Sequence, residues 1–173
     1  NVLKENGFNK KLDLLSLDVD GIDYWILDSL QPNISKIIVV EYNSTFGSDL
    51  EVTVPNIKNF NRTNYHYSNL CFGASLKAII KLMKTKNYIF LGTNISKINA
   101  FFISKEELHK IKLNLPNDND LSEFVNSNIR ESRSIDGKLS YLSGNDKIKE
   151  INDCEVINLK EKNFRLMKIK DIS

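Results

Sequence analysis

Residues 12–25 read Leu-Asp-Leu-Leu-Ser-Leu-Asp-Val-Asp-Gly-Ile-Asp-Tyr-Trp: an apolar run stops at acids and a glycine, and an amphipathic segment follows. A buried parallel strand delivers charged side chains to the carboxyl edge of a sheet in this way, and α/β proteins place their ligands at that edge. Crowding Asp18, Asp20 and Asp23 into so short a stretch is unfavourable unless a metal or a cationic ligand offsets the repulsion. The expected fold is therefore α/β, with a site at this strand end.

The neighbouring segments extend the pattern. Ile22, Trp25, Ile26 and Leu30 recur at helical spacing until Gln31-Pro32-Asn33 breaks it. Residues 36–42, Lys-Ile-Ile-Val-Val-Glu-Tyr, form a second β-branched run that again ends in an acid. Strand, helix and strand in this order predict a βαβ unit with parallel strands and a right-handed crossover. Residues 43–72 are polar and aromatic without periodicity, as in a functional or mobile loop. Gly73-Ala74-Ser75 then opens a helix with Leu76, Ile79, Ile80 and Met83 on one face and Lys77, Lys81 and Lys84 on the other. Residues 87–92 and 100–103 read as an antiparallel strand pair about a turn at 94–99. Helical turns are expected at 106–111 and 121–126, and a helix at 146–151. Two parts result: an α/β half-domain over 1–105, and a charged extension over 106–173 that packs on it.

At 173 residues the chain suits one domain. Its 24 basic and 22 acidic residues leave a net charge of +2, so neither a nucleic-acid nor a membrane partner is expected. The sequence shows no long apolar run and no secretory leader, which makes the cytoplasm the expected location. A chain that begins at Asn1 and reaches its first strand so soon is expected to be the remaining portion of something longer. Cys71 and Cys154 lack the spacing of a zinc site. The sequons at Asn33, Asn43, Asn61 and Asn94 carry little weight without a leader.

Several residues gather around the acidic strand end, each with a plainer alternative. Asp18 and Asp20 are site residues or caps of the following helix. Glu41 and Asn43 end the next strand, about 5 Å away across a parallel sheet. With Asp20 they offer oxygen ligands for Mg²⁺; otherwise Glu41 pairs with a lysine and Asn43 starts a turn. His66 is a general base for a hydroxyl, or an ordinary histidine stacked among tyrosines. Tyr65 and Tyr67, with Phe46, Phe60 and Phe72, line a substrate pocket or anchor the loop. The Gly73–Ser75 step offers amides to an anion, or a serine cap with close packing, the second being preferred. An EF-hand is excluded, because the glycine stands two positions too early and the flank is a strand.

Four segments carry a family resemblance: residues 14–25, Val-Val-Glu-Tyr-Asn at 39–43, Gly-Ala-Ser-Leu-Lys-Ala at 73–78 and Asn-Ala-Phe-Phe at 99–102. Over residues 10–105 the chain resembles FkbM-like class I S-adenosylmethionine-dependent methyltransferases, in the second half of their fold. Asp18, Asp20, Gly21 and Asp23 match their acid-x-acid-Gly-x-acid motif, with Asp where many relatives have Glu at the second and third acids. The resemblance implies a partial Rossmann-like class I methyltransferase sheet, with parallel strands and a closing antiparallel pair. It implies S-adenosylmethionine as cofactor and O-methylation of a sugar or small-molecule acceptor. Asp18 and His66 would be catalytic, Asp18, Asp20 and Gly21 would border the donor, and Glu41, Asn43, Tyr65 and Tyr67 would hold the acceptor. No G-x-G-x-x-G loop is present, so the cofactor-cradling half is absent from this chain. A metal-dependent glycosyltransferase using Asp18-Val19-Asp20 is one alternative. A non-catalytic module is the other, in which a homodimer or the tail covers an apolar sheet edge.

Overall fold

The computed structural model describes residues 2–129, 131–160 and 164–172; Arg130 and Ser173, which bound the charged tail, and Asn1 lie outside them. After a short helix α1 (Val2–Glu5) come β1 (Leu12–Leu17), α2 (Asp23–Ser29) and β2 (Ser35–Glu41). β1 and β2 pair in parallel, as the strand-helix-strand pattern predicts. The 43–72 segment holds a 3-10 turn at Ser44–Phe46, the two-residue β3 (Val52–Thr53) and α3 (Arg62–Tyr65). Helix α4 (Leu76–Thr85) then leads into the hairpin of β4 (Tyr88–Thr93) and β5 (Asn99–Ser104). The first sheet has the order β1-β2-β5-β4, with β5 antiparallel to both neighbours.

Helix α4 forms where a cap and a periodic face coincide. The Ser75 hydroxyl accepts from the Ala78 amide and from Val52 N–H, so one side chain starts the helix and pins β3 beside it. Leu76, Ile79, Ile80 and Met83 are buried against Ile38, Val40 and Phe102 of the sheet and Leu27 of α2. Each such side chain contributes about 2 kcal/mol of burial. The β4–β5 register slips between Phe90 and Gly92, where Gly92 takes φ +128° that a side chain would resist.

Tyr88 is fully buried, and its hydroxyl accepts from the Ser35 amide and donates to the Ser35 carbonyl at 2.7 Å. That bond clamps the end of one hairpin strand to the start of β2. Tyr88→Phe leaves both Ser35 groups unpaired in a dry site, and thermal melts are expected to show a loss of about 1–2 kcal/mol.

β1 corrects one expectation. The leucine-rich run reads as a buried strand, but it is an edge: Leu15 and Leu17 pack on the core, while Leu14 is 56% exposed. Burial on both faces and both edges requires a further layer and a further strand, and none pairs outside β1 among the described residues.

A second, antiparallel sheet has the order β3-β6-β7, with β6 at Glu155–Asn158 and β7 at Arg165–Lys168. The extension thus packs onto the 43–72 segment, through a core of Phe46, Val52, Val54, Leu70, Ile151, Val156 and Ile169. 3-10 turns at Lys105–Lys110 and Ser122–Phe124 and helix α5 (Asn145–Glu150) fall where the sequence places helical turns. A buried disulfide joins Cys71 to Cys154 across 83 residues, with Cα atoms 6.7 Å apart. No helix among the described residues is long and apolar enough to cross a membrane.

Candidate functional site at the sheet edge

The turn between β1 and α2 sorts its acids into two roles. Asp23, the first residue of α2, is buried, and its two carboxylate oxygens accept from Val19 N–H at 3.0 Å and Gly21 N–H at 3.1 Å. Burial raises its carboxyl above the usual range, opposed by those bonds. Asp23 therefore builds the turn, whereas the helix cap expected of Asp18 or Asp20 is not formed: the N-cap position of α2 is Ile22, with no side-chain cap bond. Asp18 and Asp20 stand exposed on the outside of the same turn. Asp20 takes φ +55°, tolerable for a short polar side chain, and pairs with Arg62 at 2.9 Å.

Gly21 is buried for a steric reason: a Cβ there would lie 2.1 Å from Cδ1 of Phe60. The close approach its lack of a side chain permits is to an aromatic ring of the 43–72 segment. Gly21→Ala forces Phe60 off the turn, and a loss of about 1 kcal/mol is expected in denaturant melts.

Glu41 completes the group. One carboxylate oxygen from each of Asp18, Asp20 and Glu41 lies within 4.8 Å of the others. Burial, and then the carboxylates of Asp18, Asp23 and Asp20, push the Glu41 carboxyl up to about 8, while Arg62 pulls the other way. Its Oε2 is buried and has no hydrogen-bond partner. Hard oxygen donors in this spacing suit Mg²⁺ or Ca²⁺.

Asn43 does not serve as an open oxygen ligand. Its amide nitrogen donates to the Leu70 and Phe72 carbonyls, at 2.7 and 2.9 Å, and its oxygen accepts from Thr45 N–H. It fastens the end of β2 to the peptides on either side of Cys71. His66 Nδ1 accepts from the Ser68 amide and bonds the Ser68 hydroxyl at 2.7 Å; the ring stacks on Tyr67. Burial lowers its pKa, and it is not on the walls of the cavity that Glu41 lines. The tyrosines bind the extension: Tyr65 donates to the Glu155 carbonyl and Tyr67 to the Glu150 carboxylate.

That cavity, of about 210 Å³, opens beside the Glu41 tip and is also lined by Asn43, Arg62, Asn69, Phe72 and Lys147. Arg62 lies over the Phe72 ring, 4.8 Å from its centre, so one guanidinium joins the acidic turn to the aromatic wall. Asn69 escaped the sequence reading; only its place in a polar loop over the sheet edge could have pointed to it. The shared wall of Arg62 and Lys147 likewise combines residues far apart in the chain. No family model matches this chain, and no match was found among curated proteins or solved structures.

Proposed function

We propose that the chain is the acceptor-side part of an S-adenosylmethionine-dependent O-methyltransferase acting on a small hydroxylated molecule. The observation that carries this reading is the convergence of Asp18, Asp20 and Glu41 at the carboxyl ends of two parallel strands, beside a cavity. The sheet order supports it: a parallel pair joined by a helix, then a long helix and an antiparallel closing pair, is the arrangement the resemblance implies.

The methyl donor, when bound, supplies an electrophilic carbon. The chain's own residues position the acceptor and receive its proton. With the donor bound, its sulfonium would supply the methyl group, and Glu41 would take the proton that the acceptor hydroxyl gives up. A carboxyl whose pKa lies near neutrality suits that task. Glu41 is preferred to His66 as the base because it faces the cavity. Asp18 and Asp20 offer negative charge to the sulfonium.

A second reading, Mg²⁺ on Asp18, Asp20 and Glu41, is favoured by their spacing. It uses Asp18 where the sequence reading used Asn43. Calorimetry with S-adenosylmethionine, on this chain and on the product of its whole reading frame, tests the proposal. Saturable heat is expected from the latter, and none at millimolar cofactor overturns the methyltransferase reading.

The disulfide bears on location. Buried disulfides persist where thiols oxidise, so the cytoplasmic expectation gives way to the proposal of an oxidising compartment. Mass spectrometry of alkylated protein from the native source distinguishes the two.

A further inference from the structure

A second cavity, of about 400 Å³, adjoins the one beside Glu41 along a common wall of Ser44, Thr45, Ser127 and Lys147. Ser44 is the telling residue there. Among the described residues six serines are buried, and five use their hydroxyls inside the protein: Ser35 with Tyr88, Ser68 with His66, Ser75 with Ala78, Ser104 with Asn33 and Ser132 with Ser140. Ser44, only 7% exposed, bonds no described group through its hydroxyl, which is not sealed from solvent and lines both cavities. A polar group so deeply set is matched by something that enters the cavity.

Its surroundings decide the chemistry of that guest. The hydroxyls of Thr45 and Ser48, on the walls of the larger cavity, are likewise unused within the described residues. Lys147, 7% exposed, brings a positive charge to the shared wall and donates one of its protons to the Ile129 carbonyl. Neither Glu41, Asp18 nor Asp20 lines the larger cavity; its one carboxylate, Asp49, is exposed. Hydroxyls able to donate, beside a cation drawn in from water, suit an anion rich in acceptors. A phosphate monoester carries about −1.5 to −2 charge and three acceptor oxygens that meet donors from several directions, whereas a carboxylate offers two oxygens in one plane.

We propose that the larger cavity takes a phosphate group of the acceptor, so that the methylated molecule is a phosphorylated sugar or polyol. The phosphate subsite stands by itself; its assignment to the acceptor rests on the methyltransferase reading above. The acceptor's hydroxyls lie beside Glu41, and its phosphate passes Ser44 and Lys147, clear of the acidic turn. At about 30 Å³ per water, the larger cavity holds roughly thirteen waters' worth of ligand, room for a phosphate and part of the ring that bears it.

Calorimetry on this chain at about pH 8, where phosphate is largely dianionic, tests this with sodium phosphate, D-glucose 6-phosphate, D-glucose and D-glucuronate, without S-adenosylmethionine or added metal. Both phosphates are expected to bind, the ester more tightly than inorganic phosphate and at least tenfold more tightly than glucose or glucuronate, and added NaCl should weaken both. Ser44→Ala removes a hydroxyl that bonds nothing in the folded chain, so it should melt like the parent while weakening both phosphates about tenfold. Lys147→Gln, which keeps a donor for the Ile129 carbonyl, should weaken them at least as much; if it fails to fold, Ser44→Ala decides. Failure of both phosphates to bind, glucuronate or glucose binding as well as the ester, or a Ser44→Ala variant that binds like the parent overturns the proposal. Inorganic phosphate as tight as the ester overturns its assignment to the acceptor. Because the donor is left out, failure of the separate S-adenosylmethionine titration strikes the methyltransferase reading and leaves the phosphate result standing.

Discussion

Cys154→Ser is expected to lower the stability of this chain by about 4 kcal/mol, with a thermal midpoint about 10 °C or more below that of the parent. The bond closes a loop of 83 residues, and the loop entropy restored to the unfolded chain grows with that length. Both half-cystines are buried in the core of the small sheet, where strands of two to four residues have little other support. Asn43 hydrogen-bonds the carbonyls of Leu70 and Phe72, so loosening Cys71 also loosens the end of β2. Melts with and without a strong reductant check this: the parent should fall to the variant's midpoint on reduction, and the variant should not move. An unchanged midpoint for the parent would remove the disulfide from the stability account.

Glu41→Gln is expected to do the opposite to stability. A carboxyl whose pKa is about 8 when folded and about 4.5 when unfolded binds an extra proton in the folded state between those values. The parent chain therefore loses stability as pH rises through that window, and keeps its full stability below it. Glutamine has no proton to lose, so the variant's profile should be flatter. At about 1.4 kcal/mol per pH unit, discounted for the carboxyl's partial exposure, the difference is on the order of 2–3 kcal/mol by about pH 9. Urea melts across the range read it directly: the curves should coincide in acid and diverge in alkali, with the variant more stable. If the proposed methyltransferase reading holds, methyl transfer is lost in the same variant. Gaining stability while losing function is what a group held unfavourably for its chemistry predicts.

The parts of the fold legible in the sequence are those with a local period. The change from run to helical spacing and back located β1, α2 and β2, and the serine before the amphipathic face located the start of α4. The hairpin was legible because its strands flank a short turn. The β3-β6-β7 sheet was not, since such short strands show no alternation and β3 lies about a hundred residues from its partner. Exposure of Leu14 depends on whether a second layer covers its face of the sheet, which no local pattern encodes. At the site, Asp18 and Glu41 follow from strand ends. The turn-building role of Asp23 depends on a backbone that folds back, and the Asn69 oxygen on a loop closing over the edge.

Among the described residues no strand pairs with the outer rim of β1, and neither proline nor bulge along Leu12–Leu17 blunts it. Such a rim is a splice point: a strand from elsewhere can lengthen the sheet without disturbing what is already folded. The same openness makes isolated preparations prone to self-templating, and a lysine at the outward Leu14 is the natural guard.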